Sequence, residues 1–110
     1  MRKGDIYDVF LDPILGSEQG GRRPAVIISG NLANVNLNTM IVCPITSELK
    51  NYQGNLILKP NANNGLLKTS EVMTVHIRSL AKERFKKKIG EVSNSEMKII
   101  IEGLGKIIKY

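Results

Sequence analysis

The sequence predicts an α+β fold: a small barrel or strongly bent antiparallel β-sheet with one C-terminal amphipathic helix packed against it. Two observations carry this. Short β-rich runs recur along most of the chain, punctuated by glycine, proline and asparagine. After Val92 the apolar period changes from about two to about 3.6 residues. With 110 residues the chain makes one domain, 1–110, large enough for an ordinary core, and no linker, internal repeat or low-complexity segment divides it.

The elements follow in order. Ile6 to Leu11 places Tyr7, Val9 and Leu11 on one face, as a strand does. A glycine-rich loop, Gly16-Ser17-Glu18-Gln19-Gly20-Gly21-Arg22-Arg23-Pro24, leads into a continuous apolar strand from Pro24 to Ser29. Pro24 fixes its own φ, holds Arg23 extended and is tolerated as a first strand residue, so Arg23 is expected at a loop-to-strand junction. Gly30 to Asn38, with four asparagines, reads as a loop. Thr39 to Ile45 is the next strand, and Glu48 to Gly54, carrying Tyr52, is polar and loop-like. Leu56-Ile57-Leu58 is a short strand, and Pro60 to Gly65 a turn. Glu71 to Ile77 alternates as a strand with two usable faces, Leu80 to Phe85 fits one short helical turn, and Lys88 to Val92 is the last strand.

Ser93 and Glu96 have capping-box spacing. Met97, Ile100, Ile101, Leu104, Ile107 and Ile108 then form one apolar helical face, with Gly103 and Gly105 off it.

Composition narrows the function. The net charge of +6 favours an anionic partner, either nucleic acid or an acidic protein. The densest basic stretch, Lys82-Glu83-Arg84-Phe85-Lys86-Lys87-Lys88, reads as a solvated turn and strand edge ahead of a dedicated phosphate track. The single cysteine, Cys43, excludes an intramolecular disulfide and lies in an apolar run, where a buried structural thiol is expected. No apolar run is long enough to span a membrane, and Met1-Arg2-Lys3 is followed by Gly4-Asp5 without a signal-peptide core, so a soluble, cytoplasmic protein is expected.

Three positions combine reach with chemistry. Arg23 carries a planar fork of donors suited to a phosphate. Thr46 ends a strand after Pro44-Ile45 with a hydroxyl that can donate or accept. His76, the only histidine, precedes Ile77-Arg78 in a run where a lone histidine is more often structural than catalytic. The same glycine-rich loop also fits a surface hairpin with solvated arginines. There is no Gly-x-Ser-x-Gly, P-loop, Cys-x-x-Cys or second histidine, so hydrolytic chemistry would draw on Arg, Glu, Thr or His, with no metal and no cofactor expected. RNA permits this, because its 2′-OH attacks the adjacent phosphorus once the protein aligns it and handles charge and protons.

Four blocks carry a family resemblance: Gly4-Asp5-Ile6-Tyr7 with Leu11-Asp12-Pro13 and the glycine-rich loop; Arg23-Pro24-Ala25-Val26-Ile27-Ile28-Ser29; Ile41-Val42-Cys43-Pro44-Ile45-Thr46-Ser47; and Ile77-Arg78-Ser79-Leu80. In this order and spacing the chain resembles the MazF/PemK toxins of bacterial toxin–antitoxin pairs over most of its length. The resemblance implies an SH3-like barrel (MazF/PemK/CcdB-like), a homodimer, and a metal-independent, sequence-selective endoribonuclease that cuts single-stranded RNA, chiefly mRNA. Its products would be 2′,3′-cyclic phosphate and 5′-OH ends. A cognate acidic, MazE-like antitoxin would neutralise it, and the complex would bind DNA.

By resemblance the catalytic pair is Arg23, stabilising the pentacoordinate phosphate and supplying the leaving-group proton, and Thr46, fixing that phosphate. Arginine stays protonated near neutral pH, so the base falls to Glu18 or a held water. Ser17, Gln19, Gly20, Gly21, Arg22, Ser47, Tyr52, His76 and Arg78 are the candidate RNA contacts, with Tyr52 a stacking platform. The chain departs from many relatives at Val75 and His76, where an acidic residue and a glutamine are common, in Arg78-Ser79-Leu80-Ala81, which lacks an aspartate, and at Asp8, where an aromatic is common. These changes bear on the RNA sequence recognised. Two other readings of the fold remain: a gyrase poison, disfavoured by the absence of tryptophan, and a catalytically silent binding module.

Overall fold

A computed structural model of the chain describes residues 1–11 and 21–110. Seven strands form one curled antiparallel sheet: β1 (Asp5–Phe10), β2 (Arg22–Ile27), β3 (Thr39–Thr46), β4 (Ile57–Leu58), β5 (Ser70–Val72), β6 (Arg78–Ala81) and β7 (Phe85–Glu91). Among the described residues there are also two α-helices, α1 (Asn31–Asn36) and α2 (Asn94–Lys109), and two 3₁₀ turns, Thr74–His76 and Lys82–Arg84, the latter within the stretch where a short helical turn was expected. The spatial order is β4-β5-β3-β2-β1-β7, with β6 also on β3. This is the bent sheet with a C-terminal helix that the sequence predicts.

The sheet is buried on both faces. On one, Ile6, Val26, Cys43, Ile45 and Val72 pack with Met97, Ile100 and Leu104 of α2. On the other, Val9, Leu11, Ala25, Ile27, Met40, Val42, Leu80 and Phe85 form a second buried cluster. Period-two alternation assigns neighbouring residues of each strand to opposite clusters, so the middle of β2 is apolar throughout. Cys43 lies in the first cluster, fully buried, and its burial pushes the thiol up to about 12, as expected of a structural cysteine. The edge strand β7 carries Lys86, Lys87 and Lys88 in solvent, and Lys88 pairs with Asp5 at 3.3 Å.

Four expectations are corrected. The asparagine-rich 30–38 segment contains a helix, α1, where composition suggested a loop. It is held from outside: the buried Asn34 amide donates to the Ser29 carbonyl at 2.9 Å and bonds the Ser29 hydroxyl, while Lys82 Nζ donates to the Asn34 carbonyl. The run 71–77 is not one strand. β5 stops at Val72 and a 3₁₀ turn occupies Thr74–His76 before β6 begins. Ile45 opposes Val72, whereas Val42, three residues back along β3, opposes Arg78, six residues further along the chain. The three extra residues are those of the turn. β2 begins at Arg22, two residues before the expected start at Pro24, so Arg23 lies inside a strand opposite Val9.

The fourth correction concerns α2. Its capping box forms as predicted, Glu96 N–H donating to Ser93 Oγ at 3.1 Å and Ser93 N–H to Glu96 Oε1 at 2.8 Å. The packed face is Met97, Ile100, Gly103 and Leu104. Ile101, Ile107 and Ile108 are exposed. Gly103, expected off the face, is on it: a Cβ there would stand 2.9 Å from the Gly54 carbonyl oxygen. Gly105 has open space instead. The two glycines should therefore respond oppositely to alanine. Gly105→Ala is expected to raise stability by up to about 1 kcal/mol through helix propensity. Gly103→Ala is expected to lower it by about 1–3 kcal/mol through backbone overpacking. Urea unfolding of the two variants checks both signs.

Candidate active site

The site is built where β2 and β3 run out together. β2 pairs with β3 through Ala25–Pro44, Val26–Cys43 and Ile27–Val42. The ladder ends at Ala25–Pro44, with Arg23 and Thr46 each two residues beyond that pair. Strand alternation puts both on the side of Ala25 and Val42, the side of the second buried cluster. Arg78 opposes Val42 and so shares that side. Its Nη1 donates to the Leu11 carbonyl at 3.1 Å, holding the chain where the glycine-rich loop departs.

Thr46 is buried, and its Oγ1 accepts from Glu48 N–H at 3.1 Å. That bond uses a lone pair; the hydroxyl proton is a separate donor. Arg23 is half-buried. Arg22 is exposed and forms an ion pair through Nε with Asp8 Oδ2. Gly21 has a φ of +70°, which glycine alone adopts readily, and its carbonyl accepts from Leu11 N–H at 2.9 Å. Glu18, Ser17, Gln19 and Gly20 lie outside the described residues.

An open cavity of about 500 Å³ adjoins this point, lined by Arg22, Arg23 and Lys68 around Pro24, Ile45 and Leu66, with Ser47 and Ser70 at its polar margin. Its size suits a small organic ligand, and its three cations suit an anionic one. Thr46 does not line it, because Ile45 and Ser47 point to the opposite side of β3 from Thr46. Arg23 borders both environments.

Two candidate contacts sit further off. Tyr52 is 53% exposed in the β3–β4 loop, as a stacking residue must be. His76 ends the 3₁₀ turn, half-buried, and is not in the strand the alternation suggested. The structure therefore brings Arg22, Arg23 and Ser47 together on one cavity, with Thr46 on the other side of the end of β3 and Tyr52, His76 and Arg78 on neighbouring elements. Among the described residues no group of three or more His, Cys, Asp or Glu side chains is arranged to hold a metal ion.

Sequence reasoning missed Lys68, which lies in a segment of no assigned structure, and Glu71. Glu71 is fully buried on β5 directly opposite Thr46. Burial alone pushes its carboxyl up, but hydrogen bonds from Asn55, Asn51, Lys50 and Tyr52 together outweigh this and hold it below the usual carboxylate range. The only sequence signal was a single charge in the apolar run Val72-Met73 preceded by Ser70. A carboxyl whose folded pKa is lowered stabilises the fold fully above its unfolded value, about 4.3, and that stabilisation is lost as pH falls through the folded value. Urea unfolding should thus show Glu71→Gln less stable than the wild type by about 2–3 kcal/mol near neutral pH, from unsatisfied buried donors. The gap should narrow below about pH 4.

The ends of β2 and β3 thus carry Arg23 and Thr46 beside a cavity lined by three cations, a lining that suits an anionic ligand. The comparisons make this specific. The model of the PemK-like, MazF-like toxins of type II toxin–antitoxin systems matches residues 2–108. The chain is 35% identical over 109 residues to Endoribonuclease MazF9 of Mycobacterium tuberculosis, covering 94% of this chain and 92% of that protein. It superposes on the crystal structure of MazF from Deinococcus radiodurans with a TM-score of 0.87 at 28% identity, over 100% of this chain and 97% of that one. A MazE–MazF crystal structure from the same organism matches with a TM-score of 0.77 at 28% identity, over 99% and 96%. The chain belongs to the PemK-like, MazF-like family of toxins of type II toxin–antitoxin systems. Among the described residues no helix is long and apolar enough to cross a membrane.

Proposed function

We propose that this chain, as a single domain over 1–110, is the toxin of a type II toxin–antitoxin pair. It acts in the cytoplasm as a metal-independent endoribonuclease on single-stranded RNA, inhibiting translation and growth. The observation that supports the mechanism is the β2–β3 pairing, whose ladder ends at Ala25–Pro44 with Arg23 and Thr46 each two residues further along their strands. A relative named as an endoribonuclease supports the activity.

The ribose 2′-OH attacks the adjacent phosphorus, the bond to the 5′-oxygen breaks, and a 2′,3′-cyclic phosphate and a 5′-OH remain. Arg23 stabilises the charge that builds on the phosphoryl oxygens and supplies the proton to the leaving 5′-oxygen. Thr46 donates its hydroxyl proton to the same phosphate and fixes it for in-line attack. The base that accepts the 2′-OH proton is Glu18 or a water held by the site. Arg22, Lys68 and Ser47 receive a neighbouring nucleotide in the adjoining cavity, its base over Pro24, Ile45 and Leu66. Ser17, Gln19, Gly20, Gly21, Tyr52, His76 and Arg78 contact the flanking bases and backbone, with Tyr52 stacking.

The protein works as a homodimer and is neutralised by an acidic, MazE-like antitoxin; a solved MazE–MazF complex of similar fold supports that partnership. The net charge of +6 attracts both RNA and such a partner.

The chemistry is tested with a short RNA containing one cleaved site and with the same strand carrying 2′-deoxyribose at the nucleotide 5′ to the cut. The all-ribose strand is expected to give a 2′,3′-cyclic phosphate, identified by mass, and the deoxy strand is expected to stay intact. Cleavage of the deoxy strand at the same bond would refute attack by the 2′-OH.

A further inference from the structure

The cleavage chemistry makes no use of Glu71, the buried carboxylate opposite Thr46. Its Oε1 accepts from the backbone N–H of Lys50 at 2.7 Å and of Asn51 at 2.8 Å. Its Oε2 accepts from Tyr52 N–H at 3.1 Å and from Asn55 Nδ2 at 2.7 Å. Three successive backbone amides converging on one point form a nest, an arrangement that binds phosphate and other anions. Here the anion is the chain's own side chain. Asn51, in the middle of the nest, has φ +55°, the one positive φ outside glycine among the described residues. Such a conformation persists only where its surroundings over-determine it. The carboxylate does so by holding Asn51 N–H and the amides on either side.

The network continues beyond the nest. Asn55 Oδ1 accepts from Thr74 Oγ1 at 2.8 Å, and Thr74 opens the 3₁₀ turn that ends in His76. Both Asn55 oxygen and nitrogen are committed, so the carboxylate and the turn are linked through a single amide. Tyr52 and His76 thereby take fixed positions relative to Thr46 through one buried group.

We propose that Glu71 is a positioning residue for RNA recognition: it is the internal anion around which the Ser47–Asn55 loop is folded, and through Asn55 and Thr74 it sets the spacing of Tyr52 and His76 relative to Thr46. It thereby helps determine which bases are accepted beside the cleaved phosphate. The inference rests on the RNA-cleavage reading above. Glutamine cannot replace the carboxylate at this point. It offers one acceptor oxygen, and its NH₂ would face two of the four donors. Glu71→Gln therefore keeps volume and strand pairing but releases one side of the nest.

The test uses wild type, Glu71→Gln and Thr74→Val, the last cutting the link from Asn55 to the turn while leaving the nest amides on Glu71. Steady-state kinetics are measured on short RNAs that vary the bases flanking the cut. Amide hydrogen exchange of Lys50, Asn51 and Tyr52 is followed well below the unfolding midpoint. For Glu71→Gln, KM at the preferred site is expected to rise about tenfold or more with kcat within about threefold, the signature of lost uniform binding. Discrimination against single-base variants should shrink, and the three amides should exchange faster. Thr74→Val should shift KM and discrimination in the same direction by less. Folded Glu71→Gln with unchanged KM, kcat and base preference would overturn the inference. Should Glu71→Gln fail to fold, Thr74→Val decides by the same criteria. A wild type that cuts no RNA overturns the cleavage reading and this inference with it. A wild type that cuts, beside an indifferent Glu71→Gln, overturns the inference alone.

Discussion

Arg23→Ala is expected to lower kcat for RNA cleavage about 10³-fold, the size of effect found when a donor aimed at developing oxyanion charge is removed. Arg23 is half-buried and sits on β2 opposite Val9, two residues outside the β2–β3 ladder. Its loss therefore leaves the apolar clusters intact, and thermal unfolding should stay cooperative. Arg22, Lys68 and the overall positive charge remain, so RNA affinity should fall far less than kcat. Arg23→Lys keeps a charge but loses the planar fork that grips two phosphoryl oxygens, and should recover only part of the rate. Single-turnover cleavage with saturating protein separates this from weakened binding. Lowered RNA affinity with an unchanged single-turnover rate would mean that Arg23 only binds.

The largest effect on stability is expected at Gly65. Its φ is +65°, and a Cβ there would lie 2.2 Å from the Ile89 carbonyl oxygen and 2.7 Å from Ile89 Cγ2. The contact is reciprocal: a Cβ on Gly90 would lie 2.4 Å from the Asn63 carbonyl oxygen. Two backbones thus lie directly against each other, the 61–65 turn on β7. Glu91 N–H donates to the Asn63 carbonyl at 2.9 Å, and the buried Asn64 side chain accepts from Leu66 N–H at 3.0 Å and donates to the Lys59 carbonyl at 2.9 Å. Nothing at the end of a flexible side chain can yield. Gly65→Ala is expected to cost about 3–5 kcal/mol, combining a left-handed backbone with overpacking against a carbonyl. Urea unfolding measures it. The same change should displace Leu66 and Lys68 from the cavity beside Arg23, so cleavage should weaken even at temperatures where the protein is folded. A loss below about 1 kcal/mol would mean that the turn and β7 separate easily.

The sequence carried the strands well because their pairing partners agree with their local pattern. Val26, Ile27, Val42 and Cys43 are apolar on both faces, and both faces are buried. The capping box at Ser93 and Glu96 is a purely local signal and formed as read. The failures share one cause, long-range contacts overriding local pattern. Asn31 to Asn36 has poor helix propensity, yet Ser29, Lys82 and the strand at Ile41 fix Asn34 and the turn of α1 around it. The alternation from Glu71 to Ile77 is genuine, but β3 offers β5 and β6 two different registers. In α2 the helical period marked six apolar residues, while only the first turns meet the sheet, where Gly103 admits the Gly54 carbonyl. Periodicity does not encode how far a helix overhangs its partner.

Of the site, Arg23 and Thr46 were named because a family resemblance pointed to them, and the β2–β3 ladder ends two residues short of each. Glu71 was not, because a buried anion is recognised by the amides that surround it, and those come from a loop 19–21 residues away in the chain. Glu18 and the remainder of its loop stand on the sequence alone.

The most direct measurement is end-mapping of a long single-stranded RNA incubated in EDTA with the purified protein, with Arg23→Ala and with Thr46→Ala. Cuts at a recurring short sequence with 5′-OH ends, present with the wild type and absent with both variants, are the expected result. RNA that binds but stays whole across a broad range of sequences would contradict it and make the chain a binding module.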